Sequence, residues 1–531
     1  MELRNRKISP EIEPNKRKYS CFQNFGNYCR EYCREGTLHG VKYLGEKRTF
    51  IEKLWWAISM AVALYLCVTL ILKTYEKWER SPVIVTFATK ETPNLMIPFP
   101  SVTICPDTKS LPGKYNYTKY YRMLRENKTL EPDMEKKFGY LSLLCDRKNE
   151  INYADLKDQL AGNQLFDFID EVSPKFSDMI SECKFMGVEE NCTELFFPII
   201  TDEGLCYTFN LLDRSQLLRD DVVIYKDYHK APRLSNWTIQ YGYGENDSLI
   251  TYPRRALFSG AIFALEAKLK IYEQDLDFAC GSSVQGYKVQ LSHPARMPRP
   301  KQQHFRIPLN HVFLSAVTPD MTTTADAIKS YSPLKRNCYF PNEKSLKYFK
   351  VYSQQSCQIE CKTNYTLNEC GCVNFYMPRN NETKFCTGSK IACIYDAEKA
   401  LLFSWMAKKL EAIHEGKVAQ DMCDCPPVCT SMYYNVENSQ TTWDWKRHYD
   451  PENGTKHMSH FQVFFKSSQF ITMERNELFG ITDFLANFGG LLGLFIGFSM
   501  LSLIEIIYYL TLRIICNIKL FGINNWSGRK E

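Results

Sequence analysis

Two long apolar runs lie near the ends of the chain, and the sequence between them is mixed in polarity. The first run covers 54–74 and opens with Trp55 and Trp56. The second covers 484–512 and is rich in Gly, Phe, Leu and Ile. Because a membrane-spanning helix needs about 20 apolar residues, each run is long enough to cross a bilayer. The tryptophan pair is typical of a membrane interface.

Basic residues precede the first run and follow the second, and such residues concentrate on the cytosolic side of membrane proteins. We therefore predict a cytosolic segment at 1–53 and a cytosolic tail at 513–531. The first apolar run begins too late for a cleaved signal peptide. Two spans then place 75–483 outside the cell.

The extracellular stretch mixes the two hydrophobic periods, so its predicted fold is α+β. Strand-like alternation or apolar runs occur at 81–88, 100–105, 204–211, 261–272 and 461–473. Helical spacing occurs at 119–137, 155–168, 344–370 and 397–414. The predicted fold class is therefore two transmembrane helices flanking a large mixed ectodomain.

The cysteines are distributed as a disulfide-rich extracellular domain requires. Of the 21 cysteines, five lie in or beyond the two apolar runs, and the other sixteen lie between Cys105 and Cys429. An even number in an oxidising compartment favours disulfides; zinc, through Cys-x-Cys pairs and His414, is the rival interpretation. The same stretch holds glycosylation sequons. They begin at Asn116, Asn127, Asn191, Asn236, Asn246, Asn364, Asn381 and Asn453.

The second apolar run has an unusual composition for a plain anchor. Gly489, Gly493 and Gly497 recur every fourth residue, and Glu505 places an acid inside the span. Small residues at this spacing allow close helix packing in lipid, so a dimerisation helix whose Glu505 reaches the membrane surface is one interpretation. The glycines together with a helix-breaking Gly-Phe-Ser and an acid favour a pore-lining helix in a cation path.

The chain contains no motif for an enzyme site, cofactor or nucleic acid. Its net charge of +6 is small for 531 residues and identifies no partner. We predict a non-enzymatic protein without cofactor that conducts a cation; that the ion is sodium is implied only by the resemblance described next. The alternatives are an ATP-gated two-span channel and a non-conducting cell-surface receptor.

Several motifs together resemble the degenerin/epithelial sodium channel family, and within it insect pickpocket-type subunits. They are His39-Gly40 before the first span, Phe99-Pro100-Ser101-Val102-Thr103-Ile104-Cys105 after it, Gly204 to Asn210, the cysteine cluster, and Leu485 to Ser499. The resemblance implies a trimer of the same or related subunits in the plasma membrane. It also implies an ectodomain of palm, β-ball, knuckle, finger and thumb, and amiloride-sensitive sodium conduction in a sensory setting.

The resemblance also implies roles for individual residues. The selectivity filter would be Gly497, Phe498 and Ser499, in which Phe498 departs from the small residue usual in the family. Gating would involve His39, Gly40 and Ala486. Amiloride and pore contacts would fall on Gly490 and Gly493, and Glu505 would be the acid near the inner end of the pore.

The same resemblance implies the disulfide pairing. The pairs are Cys105–Cys206, Cys183–Cys192, Cys338–Cys429, Cys357–Cys425, Cys361–Cys423, Cys370–Cys393 and Cys372–Cys386. Cys145 and Cys280 are left over, and we expect them to form an eighth bridge.

Overall fold

A computed structural model describes the parts of the chain at 21–80, 83–145, 151, 153, 156, 160–244, 247, 251–280, 283–415, 422–449, 455–478, 480–523 and 526–527. The chain divides into two compact units. The membrane unit comprises Met1–Ile84 and Glu477–Glu531, and the ectodomain comprises Val85–Asn476. The sequons at Asn246 and Asn453 lie outside the described residues.

The described residues form helices and strands in mixed order. The helices are α1 Cys21–Glu35, α2 Val41–Gly45, α3 Phe50–Arg80, α4 Tyr117–Arg125, α5 Pro132–Ser142, α6 Gln164–Val172, α7 Phe176–Met179, α8 Cys192–Leu195, α9 Arg214–Leu217, α10 Asp326–Lys329, α11 Pro333–Arg336, α12 Gln354–Cys370, α13 Ile391–His414, α14 Lys446–Tyr449, α15 Ile481–Ile496, α16 Met500–Leu510 and α17 Leu512–Phe521. The strands are β1 Val83–Pro93, β2 Ser101–Pro106, β3 Ile180–Phe185, β4 Val188–Glu190, β5 Phe196–Thr201, β6 Gly204–Phe209, β7 Leu265–Tyr272, β8 Gly286–Ser292, β9 Phe305–Pro308, β10 His311–Thr324, β11 Ser431–Thr442, β12 Lys456–Phe465 and β13 Gln469–Glu477.

Two sheets form the centre of the ectodomain. The larger has the order β1-β13-β10-β12-β7-β3-β4, with β11 paired to β10. The smaller has the order β5-β6-β2-β8-β9. Buried and half-buried residues alternate along β7, whereas every residue of β2 and β6 is buried. At β7, one face of the larger sheet is therefore less buried than the other. The smaller sheet is covered on both faces at its centre.

Helices and loops cover these sheets through two apolar clusters. The larger cluster contains Phe99, Phe138, Leu265 and Phe461, and the smaller contains Trp237. The sequons at Asn127, Asn191, Asn236 and Asn381 are exposed, and those at Asn116 and Asn364 are half-buried.

Eight disulfides join the ectodomain. They are Cys105–Cys206, Cys145–Cys280, Cys183–Cys192, Cys338–Cys429, Cys357–Cys425, Cys361–Cys423, Cys370–Cys393 and Cys372–Cys386. These are the pairs that the resemblance implies, together with the expected eighth bridge. Because the sixteen cysteines are joined to one another, the zinc interpretation loses its ligands.

Some predicted elements differ from the observed ones. The helix predicted at 119–137 is split into α4 and α5, because Asn127 has φ of 57° and Pro132 starts a new helix. The strand predicted at 461–473 is two strands, β12 and β13, joined at Lys466–Ser468. The helix predicted at 155–168 is observed only from Gln164, and several positions before it lie outside the described residues.

The membrane unit contains two stretches that are long and apolar enough to span a bilayer. In the described part of the chain these are Phe50–Glu79 and Met500–Phe521, preceded by the shorter apolar helix Ile481–Ile496. The fold class predicted from sequence is therefore confirmed. The second apolar run is not one helix, because it is interrupted between α15 and α16 and again at Thr511.

Candidate ion-conduction site

The interruption of the second apolar run falls on Gly497, Phe498 and Ser499. Gly497 has φ of 69°, the left-handed conformation that glycine adopts without steric cost. Ser499 is extended and begins α16, where its Oγ accepts from the Ser502 N–H at 3.2 Å. Ser502 Oγ in turn accepts from the Ser499 N–H at 3.2 Å. A glycine stop followed by a serine cap ends one helix and starts the next, so the predicted break is confirmed.

The two sides of α15 differ in side-chain size. At 100° per residue, Ala486, Gly490, Gly493 and Gly497 lie within about 60° of one another on one face. They are exposed or half-exposed within this chain. The opposite face carries bulky residues, and Phe484 contacts Trp78 of α3 with ring centroids 5.6 Å apart. The small face therefore points away from the helix that packs against α15.

His39 and Gly40 lie against this break. The His39 N–H donates to Ile496 O at 3.1 Å. A β-carbon at Gly497 would overlap the His39 ring. Gly40 has φ of 85°, and a β-carbon there would lie 3.0 Å from Met60 Cγ on α3. Close approach and backbone conformation therefore both require glycine at 497, whereas at Gly40 the requirement comes from the positive φ, because the Met60 side chain is flexible.

The acid of the second span is engaged by the same segment. Glu505 Oε2 accepts from the Thr37 hydroxyl at 2.7 Å and from the Thr37 N–H at 3.1 Å. Thr37 Oγ1 also lies 2.9 Å from Ser502 Oγ, and Ser502 is 1% exposed. The carboxylate therefore fixes the Thr37–Gly40 segment below the break, through bonds that a charged acceptor strengthens.

Helix α1 packs on the end of the second span. Tyr28 and Tyr32 contact the Tyr509 ring at 6.0 and 5.1 Å between centroids. Arg513 Nη2 donates to Glu31 Oε1 at 2.5 Å. The Tyr28 hydroxyl donates to Tyr509 O, and burial and then the Glu31 carboxylate raise the pKa of Tyr28 to about 12.

The structure thus brings together His39, Gly40, Gly497 and Glu505, which the sequence analysis singled out separately. Ala486 and Gly490 lie on the small face of α15, more than one helical turn from the break. Thr37 and Ser502 were missed. The available signal was weak: Thr37 is two residues before His39, and Ser502 is one helical turn before Glu505.

Residues 32–509 match the family described as amiloride-sensitive sodium channel. The chain belongs to that family. Its relatives include Pickpocket protein 28 of Drosophila melanogaster, 28% identical over 91% of this chain and 78% of the relative. The sodium channel protein Nach of the same species is 24% identical over 92% of this chain and 88% of its own length. Acid-sensing ion channel 1A of Danio rerio is 23% identical over 90% of this chain and 87% of its own length.

Membership confirms the resemblance to degenerin/epithelial sodium channels and to pickpocket proteins. The match covers the first span, the ectodomain, the break and the second span as far as residue 509. The chain is therefore a membrane protein with two spans and a subunit of the sodium channel type. Its relatives are ion channels rather than enzymes, which supports a non-enzymatic function.

Proposed function

We propose that three copies of this chain, or this chain with related subunits, form an amiloride-sensitive, sodium-selective channel in the plasma membrane. Both termini are cytosolic, and the ectodomain receives a sensory stimulus. Conduction is passive and needs no cofactor. The observation that supports this proposal is the break at Gly497–Ser499, where the Thr37–Gly40 segment meets the second span.

Three small faces of α15 would surround the ion path, and the break would form its narrowest part. Backbone carbonyl groups freed by the break can replace water around a cation. Gly497, Phe498 and Ser499 then form the selectivity filter. Phe498 is too large to project into a narrow path, so its carbonyl group rather than its side chain faces the ion.

Gating would act on the same small face. Ala486 is exposed on α15, where a larger side chain would crowd neighbouring subunits when the pore is closed. Gly490 and Gly493 leave room for amiloride on the same face. His39 and Gly40 support the break, and Glu505 holds them through Thr37. Closed and open states that differ by a few kcal/mol can be shifted by a stimulus.

The test is voltage-clamp current in oocytes that express this chain as wild type and as Ala486→Val. Sodium is then replaced by a large organic cation, and amiloride is added. We expect a sodium-dependent, amiloride-blocked current that is larger in Ala486→Val. Surface labelling controls for delivery to the membrane.

Silence of both forms at the surface, also after co-expression with a related subunit, would overturn the channel proposal. A current carried equally by potassium would contradict sodium selectivity. Current evoked by ATP would favour an ATP-gated channel instead.

A further inference from the structure

A cavity of about 100 Å³ lies inside the ectodomain, remote in sequence from the conduction site. Residues from α6, β5, α12 and the loops between them form its wall, among them Phe166, Ile199, Leu218, Val222, Ile359 and Phe385. Phe166 and Phe385 belong to the larger apolar cluster, and Leu218 and Val222 belong to the smaller one. The cavity therefore lies where the two apolar clusters meet.

The cavity is too large for an ordinary packing gap. Protein interiors contain few voids larger than a water molecule. This cavity is of the same order as the ~150 Å³ cavity that holds benzene in another protein. Side chains that line a void lack contact atoms on that side, so an occupant would restore dispersion contacts that the wall otherwise loses.

Two tyrosines in the wall already use their hydroxyl groups. The Tyr225 hydroxyl donates to Asp167 Oδ1 at 2.6 Å, and the Tyr228 hydroxyl donates to Asp170 Oδ1 at 2.7 Å. Both bonds join the loop that carries the tyrosines to helix α6. A ligand in the cavity would therefore meet the rings of these residues rather than free donors.

The ionisable groups in the wall favour a neutral occupant. Arg299 Nε donates to Asp202 Oδ2 at 2.8 Å, so the two buried charges balance each other. His229 Nε2 lies 3.0 Å from Leu212 O, and burial lowers the pKa of His229 to about 4, so its ring is uncharged at neutral pH. Water remains in a cavity when it finds about two to four polar partners, and these groups are already engaged.

The rim of the cavity reaches the protein surface. Val223, Ile224 and Pro378 line the cavity and are only half-buried. Because this rim is apolar, an apolar solute can pass it without breaking hydrogen bonds.

We propose that this cavity binds a small neutral apolar ligand of about the size of a benzene ring. The ligand would contact α6, α12 and the loop that carries Tyr225 and Tyr228, and so would stabilise the ectodomain where its two apolar clusters meet. The site goes beyond ion conduction and does not depend on it.

The test uses the purified full chain in lipid nanodiscs and fluorobenzene, observed by ¹⁹F NMR. Because fluorobenzene also partitions into lipid, binding is the saturable signal above that of empty nanodiscs. We expect saturable binding in the millimolar range or below. The charged probe 4-fluorobenzoate has a similar ring and should bind at least tenfold more weakly, because burying its carboxylate among apolar groups is costly.

Variants of the wall test whether the signal comes from this cavity. Val222→Phe should fill the cavity and weaken fluorobenzene binding at least tenfold. The matched control is Val188→Phe, at a valine of β4 that is 61% exposed, and it should leave binding unchanged. Phe166→Leu should enlarge the cavity, so the affinity for 1-fluoro-4-propylbenzene relative to fluorobenzene should rise about fivefold.

Thermal unfolding verifies that each variant is folded, and Phe166→Leu decides the matter if Val222→Phe does not fold. The proposal is overturned if wild type and folded Val222→Phe give the same fluorobenzene signal, or if 4-fluorobenzoate binds as tightly as fluorobenzene. It is also overturned if Phe166→Leu leaves the preference between the two neutral probes unchanged. Sodium current of the same variants in oocytes reports on conduction separately, so the two proposals can fail independently.

Discussion

The ectodomain and the membrane unit are stabilised in different ways. The ectodomain has eight disulfides, two buried apolar clusters and ion pairs that are almost fully enclosed. In the membrane unit, only 6% of the most apolar 18-residue stretch of α3 is buried within the chain. For the corresponding stretch in α16 and α17 the buried share is 17%. The candidate conduction site in this unit is held by a few hydrogen bonds around Thr37 and His39.

This difference separates fixed from adjustable parts. Breaking a disulfide or a buried ion pair costs several kcal/mol, so these contacts stay in place when a stimulus acts. Individual hydrogen bonds contribute about 1 kcal/mol each, which is the scale on which conformational populations shift. We therefore expect substitutions in the ectodomain to change mainly the stability of the fold, and substitutions at the candidate conduction site to change mainly gating.

The largest expected effect is on the long-range disulfide Cys105–Cys206, whose cysteines are 101 residues apart and fully buried. The double change Cys105→Ala and Cys206→Ala should destabilise the fold by about 4.7 kcal/mol on the chain-entropy estimate. Thermal unfolding of the purified protein measures this. The matched control removes Cys183–Cys192, which spans only 9 residues and should cost about 2.6 kcal/mol. Equal losses would contradict the entropic account.

Glu203 tests the buried charges of the ectodomain. Its carboxylate is 1% exposed and lies 2.7 Å from Lys109 and 2.6 Å from Lys288. Glu203→Gln leaves two buried ammonium groups without their anion and should destabilise the fold by about 3 kcal/mol. Thermal unfolding at pH 7 checks the loss. Replacing Glu126, an exposed acid paired with Lys128, should have almost no effect.

The same residue predicts a pH dependence. Burial alone would raise the pKa of Glu203, but Lys109 and the neighbouring lysines outweigh burial and hold it well below its usual value of 4.5. The stabilisation is therefore complete above about pH 4.5 and is lost as pH falls below it. Wild type should lose thermal stability more steeply than Glu203→Gln in acid. Parallel curves would show that the carboxylate contributes nothing to the acid response.

Gly497→Ala tests the conduction site sterically. The new β-carbon would overlap the His39 ring, and the backbone is in the left-handed region. We expect at least tenfold less sodium current at equal surface density. If the loss reflects a shift between conducting and non-conducting states, it corresponds to a free-energy change of about 1.4 kcal/mol or more. Gly26→Ala, on the exposed side of α1, is the control, because no residue packed against that helix lies within 4 Å of its β-carbon position. Full current from both variants would refute the contact between His39 and Gly497.

Thr37→Val should have the smallest effect. It removes the 2.7 Å hydrogen bond to Glu505 and the 2.9 Å contact with Ser502 Oγ, and it retains the backbone bond to Glu505. A hydrogen bond to a charged group contributes about 1.5 kcal/mol, so open probability should change by up to about tenfold in single-channel records. Thr37→Ser keeps the hydroxyl and should resemble wild type. If Ser and Val behave alike, the hydroxyl is not a gating contact.

The sequence predicts features that depend on local pattern and misses those set by tertiary contacts. The spans and the break at Gly497 follow from apolar length and glycine placement. The turn at Lys466–Ser468 was missed because apolar alternation continues on both sides of it. Helix α13 starts at Ile391, six residues before the predicted Ala397, because a 3₁₀ turn at Gly388–Lys390 leads into it.

The candidate site shows the same limit. Glycines and an acid in a span pointed to conduction, but nothing local in the sequence indicates that Thr37 binds Glu505. The ion pair between Arg299 and Asp202 is equally hard to predict, because the sequence contains 66 basic and 60 acidic residues and does not show which of them pair. Contacts between residues hundreds of positions apart depend on the folded chain as a whole.

His39 and Gly497 come from opposite ends of one polypeptide, and each has a shape that suits the other. A chimera that takes its second span from a related channel should therefore keep this contact only where that span also carries a glycine at the position of Gly497. In a mixed assembly, each chain would carry its own matched pair, so subunits could be combined without adapting this contact to their neighbours.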